Sequence, residues 1–269
     1  DSCDRGIWLL SDENMIKSLN ASSIHRICSS QVITSLSTAI KELVENSLDA
    51  SATKIEITLK QCGKESIAVS DNGVGIDPKD FALIAKKHAT SKISQFTDLE
   101  SLTSYGFRGE ALSSLCGLSA APLIVTTKRE SSADAFGHEL CYDNDGELVA
   151  HKKIAFSKAH GTMVVIKRLF HALPVRHKDF CKNIKREYTH LLSVLQSYAI
   201  MRTDAAFTVR NDGRIVLRTG NGSSAGNNVA VMDGMRQNIC HVFGYKLMEK
   251  LVAIDGEKIT LSKDSNDDG

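Results

Sequence analysis

The chain is poor in the features that make many functions easy to read. It holds one tryptophan, three prolines and five tyrosines in 269 residues. No apolar run approaches the roughly 20 residues that a membrane-spanning helix needs. The longest stretch without a charged side chain, 111–127, is interrupted by serines, Gly117 and Pro122. No secretory leader is visible, and the first residue is Asp1 rather than Met, so a piece of a longer chain is expected. The seven cysteines are odd in number and scattered singly, with no C-x-x-C. Neither a disulfide framework nor a cysteine-ligated zinc is indicated, and buried free thiols in a reducing compartment are expected. The chain also lacks a G-x-x-x-x-G-K-[ST] loop, a G-x-G-x-x-G turn and an H-E-x-x-H helix. P-loop hydrolysis, Rossmann dinucleotide binding and zinc-protease chemistry are therefore disfavoured.

What is present is ordinary in bulk and uneven in detail. A hydrophobic share of 42% and a charged share of 24% suit a globular chain long enough to bury a core. The net charge of +1 conceals an asymmetry. Residues 1–150 carry 14 Lys/Arg against 21 Asp/Glu, whereas residues 151–190 carry 10 against 2. A basic block of that density is either a solvated face or a surface for an anionic polymer. Few aromatics interleave it, which argues against stacking on single strands.

Periodicity predicts a helix over 32–49, with apolar Ile33, Leu36, Ile40, Leu43, Val44 and Leu48 at steps of three and four. "KIEITLK" (54–60) and "SIAVS" (66–70) alternate like two strands of a hairpin. "DFALIAKK" (80–87) predicts a short helix, and 88–105, rich in Ser, Thr and charge, a mobile loop. Strands are expected through 122–167, a helix over 179–201 and a hairpin over 205–219. Residues 220–228 have linker composition, followed by a helix-like 238–251 and a strand at 258–262. No internal repeat is found. The expected class is α+β, a mixed or antiparallel sheet covered on one face.

Three polar pieces stand out against this frame. In "KELVENSLDA" (41–50), Glu42, Asn46 and Asp49 share one stripe of a helix. Asn46 offers a hard oxygen of the kind Mg²⁺ takes, and Glu42, one turn away, could accept a proton from water. A solvated helix face is the plainer alternative. Asp71 ends the strand 66–70 and is followed by Gly73 and Gly75. A carboxylate fixed there can accept a hydrogen bond from an exocyclic amine such as that of adenine, and glycines let a flat ring approach; a tight turn is the alternative. "GFRGEAL" (106–112) is a glycine turn running into a helix start, suited to phosphate or simply to a helix with an early acid.

The order "ELVENSLDA", "DNGVGI", "TSKI", "GFRGEAL" and Gly161–Thr162 resembles the nucleotide site shared by gyrase-type, Hsp90-type, histidine-kinase and MutL ATPases. "KELVENSLDA", "HATSKI", "GFRGEALSSL" and "RLFHALPVRHKDF" (168–180) resemble the MutL mismatch-repair family, and "IHRICSSQV" (24–32) its eukaryotic post-meiotic-segregation branch. The resemblance implies a mixed sheet sandwiched with helices, with 1–23 as an extension, 24–222 as the ATPase domain and 223–269 as the start of an incomplete transducer domain. It implies Glu42 as general base, Asn46 as Mg²⁺ ligand, Asp71 as adenine reader and Gly75 against the base. Asp49 joins the nucleotide set. Ser91 and Lys92 belong to a lid, and Gly106, Phe107, Arg108, Gly109, Glu110, Ala111 and Leu112 to the phosphate turn. Thr162 supports the adenine through water. It further implies ATP and Mg²⁺, slow hydrolysis as a switch, and pairing with a second MutL homologue in a heterodimer. A MutS-type mismatch recognition complex, non-specific double-stranded DNA and a nuclear location follow, with no membrane. Arg176, Lys178, Lys182, Lys185 and Arg186 are the DNA-contact candidates. The alternative is a nucleotide- and DNA-binding module without turnover, since no F-[IV]-N-x-R-type run carrying the transducer lysine is found. The family's D-Q-H-A-x-x-E-x-x-x-[FY]-E endonuclease run is also absent from this chain.

Overall fold

The structure is a computed structural model that describes residue 18 and residues 20–90, 104–106, 109–120, 122–132, 136–220 and 228–251. Most of the 1–23 extension, the expected loop at 91–103, the linker at 221–227 and the strand at 258–262 lie outside the described residues.

The predicted helix over 32–49 forms as α2 (Leu36–Asp49), while Val32 ends a separate, unpredicted helix, α1 (Ala21–Val32), which begins inside the stretch expected as an extension. Ser35 makes the break: its Oγ accepts the Thr38 amide at 3.0 Å, which is an N-cap. Ile33 ends α1 by donating its amide to the Ser29 carbonyl. From Ser35 onward α2 buries Leu36, Ala39, Ile40, Leu43, Val44 and Leu48.

That stripe packs on the first hairpin. β1 (Lys54–Lys60) and β2 (Ser66–Asp71) are antiparallel, in register from Ile55 opposite Asp71 to Lys60 opposite Ser66. Alternation sends Ile55, Ile57 and Leu59 inward on β1, and Ile67, Val69 and Asp71 inward on β2. The last inward position of β2 is thus a carboxylate where a hydrophobe is the norm.

The chain then runs through α3 (Ala111–Leu118), β3 (Leu123–Lys128), β4 (Phe136–Tyr142), β5 (Leu148–Ala155) and β6 (Gly161–Lys167). It continues with α4 (Pro174–Lys182), α5 (Ile184–Met201), β7 (Ala206–Asn211), β8 (Arg214–Arg218), α6 (Asn228–Phe243) and α7 (Tyr245–Met248). The strands form one mixed sheet in the order β5-β4-β3-β6-β2-β1-β7-β8. Every neighbouring pair is antiparallel except β1 and β7, which are parallel and joined the long way round. The inner face shares one core with Leu115 and Leu118 of α3 and Leu191, Leu195 and Ala199 of α5.

Two other expectations are corrected. Residues 81–88 are turns after a short 3-10 segment, Pro78–Asp80, and not an α-helix. Phe81 and Ala85 are buried at an i, i+4 spacing that imitates a helix, but one turn is too short to propagate. The helix over 179–201 splits at Asn183, whose carbonyl accepts the Arg186 and Glu187 amides while its side chain bonds Asp179 at 2.8 Å. The first half begins earlier, at Pro174, a residue suited to a first helical position.

Ile57, fully buried at the centre of β1, tests this core. Ile57→Ala is expected to cost about 2–5 kcal/mol, seen as a lower urea midpoint at unchanged slope.

Candidate functional site

A cavity of about 1460 Å³ opens between α2, the 74–90 segment, the start of α3 and the inner ends of β3 and β6. It brings together Glu42, Asn46, Asp71, Gly75, Gly106, Gly109, Glu110, Ala111, Leu112 and Thr162, residues spread over 120 positions of sequence. Ser91, Lys92, Phe107 and Arg108 lie outside the described residues. Val69, Ile76, Val125 and Val164 give the Asp71 end an apolar lining.

Asp71 is 6% exposed and held by both oxygens. Oδ1 accepts the Gly73 amide at 2.9 Å and the Thr162 amide at 3.1 Å; Oδ2 accepts the Ser47 hydroxyl at 2.8 Å. A second layer fixes these donors. Thr127 Oγ1 lies 3.1 Å from Thr162 Oγ1, donates to the Gly161 carbonyl and accepts the Ile76 amide. His160 Nδ1 meets the Gly73 carbonyl at 2.7 Å. Thr127 and His160 lie outside every motif, and Ser47 sits inside "KELVENSLDA" without being singled out, so sequence reasoning missed all three. Ser47 alone had a signal, one residue after Asn46 on the polar helix.

The glycines after Asp71 also answer to the chain itself, and Gly75 lines the cavity as well. Gly75 has φ +73°, and a Cβ there would stand 2.2 Å from the Lys128 carbonyl oxygen.

On α2, Glu42 and Asn46 face the cavity one turn apart. Glu45, between them, is 5% exposed and fully engaged. Its Oε2 accepts Lys41 Nζ at 2.8 Å and its Oε1 accepts the Tyr198 hydroxyl at 2.5 Å. Lys41 Nζ also lies 3.7 Å from Glu42 Oε1. Burial opposes the Lys41 ammonium, but the two carboxylates outweigh it and raise its pKa. Burial, and then the neighbouring Glu45 carboxylate, raise that of Tyr198.

Asp49 lies one turn beyond Asn46 on the same stripe of α2. It is not among the residues lining the cavity; its carboxylate accepts the amides of Tyr105 at 3.0 Å and Gly106 at 3.3 Å. It therefore supports the glycine turn from outside. Gly109, with φ +61°, packs so closely on residue 89 that a Cβ would stand 2.4 Å from the Ala89 carbonyl oxygen. α3 starts two residues later, after Glu110, and no side-chain hydrogen bond caps its N-terminus among the described residues. Bare amides at a helix start facing a polar cavity suit an anion.

Arg176 is corrected outright. It is not on the solvent face of the basic block. Its guanidinium donates to the carbonyls of Ser30 at 2.7 Å, Ile33 at 3.1 Å and Thr34 at 2.7 Å, and lies 4.3 Å from the Phe170 ring centroid. It satisfies carbonyls at the end of α1 that the helix leaves unpaired. Burial lowers its pKa. Lys178, Lys182, Lys185 and Arg186 on α4 and α5 are exposed.

Residues 33–164 match the family described as Histidine kinase-, DNA gyrase B-, and HSP90-like ATPase. The chain is 44% identical over 261 residues to the DNA mismatch repair protein PMS1 of Arabidopsis thaliana, across 95% of this chain and 26% of that protein. It is similar to the solved N terminal domain of a DNA repair protein, with TM-score 0.68 and 43% identity over 84% of this chain and 61% of that one. It is also similar to the Aquifex aeolicus MutL ATPase domain complexed with ADP, with TM-score 0.57 and 27% identity over 79% of this chain and 70% of that one. The chain spans about a quarter of the length of the curated relatives it matches.

Arg176→Ala removes the side chain that bonds all three of those carbonyls. It is expected to lower stability by about 1–3 kcal/mol while leaving affinity for duplex DNA, measured by fluorescence anisotropy, unchanged.

Proposed function

Because the chain belongs to the MutL family of DNA mismatch repair proteins, in its post-meiotic-segregation branch, we propose that the cavity binds ATP with Mg²⁺ and hydrolyses it slowly, as a conformational switch. The observation that carries this reading is Asp71. Its carboxylate is fixed by Ser47, Gly73 and Thr162 at the apolar end of a cavity whose other end is the start of α3. Adenine offers an amine and a flat apolar ring to the first end, and the phosphates meet bare amides at the second.

Glu42 orients the attacking water and accepts its proton. The water oxygen bonds to the terminal phosphorus, the bond to the bridging oxygen breaks, and ADP and phosphate leave. Lys41 holds the Glu42 carboxylate in place from the same helix. The donors present fit a magnesium ion: Asn46 and Glu42 offer hard oxygens to the cavity, and no group of three or more His, Cys, Asp or Glu among the described residues forms a metal cage of its own. Such a site suits an ion shared with phosphates, held on the protein side by Asn46. When bound, magnesium neutralises phosphate charge and polarises the terminal phosphate. The closing of a lid over the phosphates falls to Ser91 and Lys92, and the phosphate turn includes Phe107 and Arg108. Asp49 acts on that turn through its backbone.

The wider roles are proposals of the same reading. Exposed Lys178, Lys182, Lys185 and Arg186 contact DNA phosphates without reading bases, so binding falls steeply with salt. ATP binding promotes pairing with a second MutL homologue, in a nuclear complex that answers to a MutS-type mismatch sensor. Residues 223–269 begin the transducer domain. Nuclease activity is no part of this proposal.

Two substitutions separate binding from chemistry. Asp71→Asn places an amide among three donors and is expected to weaken ADP binding by about 10- to 100-fold, measured by titration calorimetry; unchanged affinity sinks the adenine role. Glu42→Ala is expected to keep that affinity and lose about 100-fold or more in turnover, and retained turnover sinks the assigned base. Wild-type turnover at the level of buffer, with ADP bound normally, assigns the chain the alternative role of a binding half-site.

A further inference from the structure

Tyr105, the residue just before the glycine turn, is held from several sides although it is exposed. Its amide donates to Asp49 Oδ1 at 3.0 Å, and the next amide, of Gly106, donates to Asp49 Oδ2 at 3.3 Å. Its hydroxyl accepts Arg202 Nη1 at 3.1 Å, and the guanidinium carbon lies 5.8 Å from the ring centroid. Its ring also stands 6.4 Å from that of Tyr198. Arg202 is fixed in turn by a fork onto Asp204, with Nε to Oδ1 at 2.9 Å and Nη2 to Oδ2 at 2.7 Å. A planar two-point pair of this kind sets the orientation of the guanidinium as well as its position.

The core gains little from this arrangement, because the tyrosine stays on the surface. What it fixes is local. Asp49 at the end of α2 and Arg202 just past α5 grip one residue, and the next residue, Gly106, lines the cavity. Tyr198 extends the grip, since its hydroxyl also anchors Glu45 on α2.

We propose that Tyr105, clamped by Asp49, Arg202 and Tyr198, is a positioning residue that fixes Gly106, at the α3 end of the cavity, for the phosphate groups of the nucleotide. The inference rests on the nucleotide reading of the cavity and adds residues that reading does not use. Ordering the turn before the ligand arrives removes an entropic cost from binding. Only ligands with phosphates benefit. The base end, built on Asp71, is held by separate hydrogen bonds.

The test compares adenosine with ADP. Both are titrated with magnesium into the wild-type chain, Tyr105→Ala and Arg202→Gln, and melting is recorded for each. ADP is expected to bind the variants about tenfold more weakly, with adenosine affinity and melting temperature unchanged. Tyr105→Phe, which keeps the ring but loses the hydroxyl's bond to Arg202, is expected to fall between the wild type and Tyr105→Ala in ADP affinity. Equal weakening of both ligands, or weakening of neither, overturns the proposal. Failure of the wild-type chain to bind either ligand overturns the nucleotide reading itself, and this inference with it.

Discussion

One buried carboxylate joins four parts of this fold. Asp71 ends β2, takes the Ser47 hydroxyl from α2, the Gly73 amide from the turn that follows and the Thr162 amide from β6. An unpaired carboxylate at that depth is too costly to keep charged. Three donors offset the cost, and each fixes a piece of backbone in doing so. A carboxylate accepts about four hydrogen bonds, so the protein takes three and leaves Oδ2 able to accept one more. The same group is a structural knot and, in the function proposed above, a ligand contact. The Asp71 end of the cavity is thereby tied from several sides, with Thr127 and His160 bracing the donors from behind.

The opposite end follows another plan. The 105–112 segment is tied to the body by hydrogen bonds from its own backbone: the Tyr105 and Gly106 amides to Asp49, and the Gly109 carbonyl to the His88 amide. Backbone ties leave the amides at the start of α3 facing the cavity. The polar stripe of α2 connects the two ends. Ser47 supports Asp71, Asp49 supports the turn, and Glu42 and Asn46 face the space between. A single helix with its apolar side in the core thus sets the spacing of the site, and its buried Glu45 locks it to α5 through Tyr198.

Much of this was legible in the sequence because the same periods that build the fold also place the site. Alternation through Ile67 and Val69 puts Asp71 on the inner face, and the α-helical period puts Glu42 and Asn46 on one side of α2. The breaks at Ser35 and Asn183 were hidden because the apolar period continues across them: Ile33 and Leu36 stay in step on either side of a cap. Phe81 and Ala85 imitate a helix that lacks the length to form. Arg176 misled for a different reason. Its charge matched its basic neighbours, but its partners are carbonyls more than 140 residues earlier in the chain, at a helix end the sequence did not reveal. Ser47 and Thr127 act through contacts of 24 and 34 or more residues in separation, which no local pattern encodes.

The claim at the centre is that Asp71 reads an amine on the nucleotide base. Comparing the affinities of ADP and IDP for the unmodified chain tests it most directly, because inosine replaces the exocyclic amine with a carbonyl oxygen and leaves the phosphates alone. The account predicts that ADP binds on the order of a hundredfold more tightly, since the carbonyl leaves a buried acceptor facing an acceptor. Equal affinities would contradict it, and would mean that the carboxylate serves the fold and not the ligand.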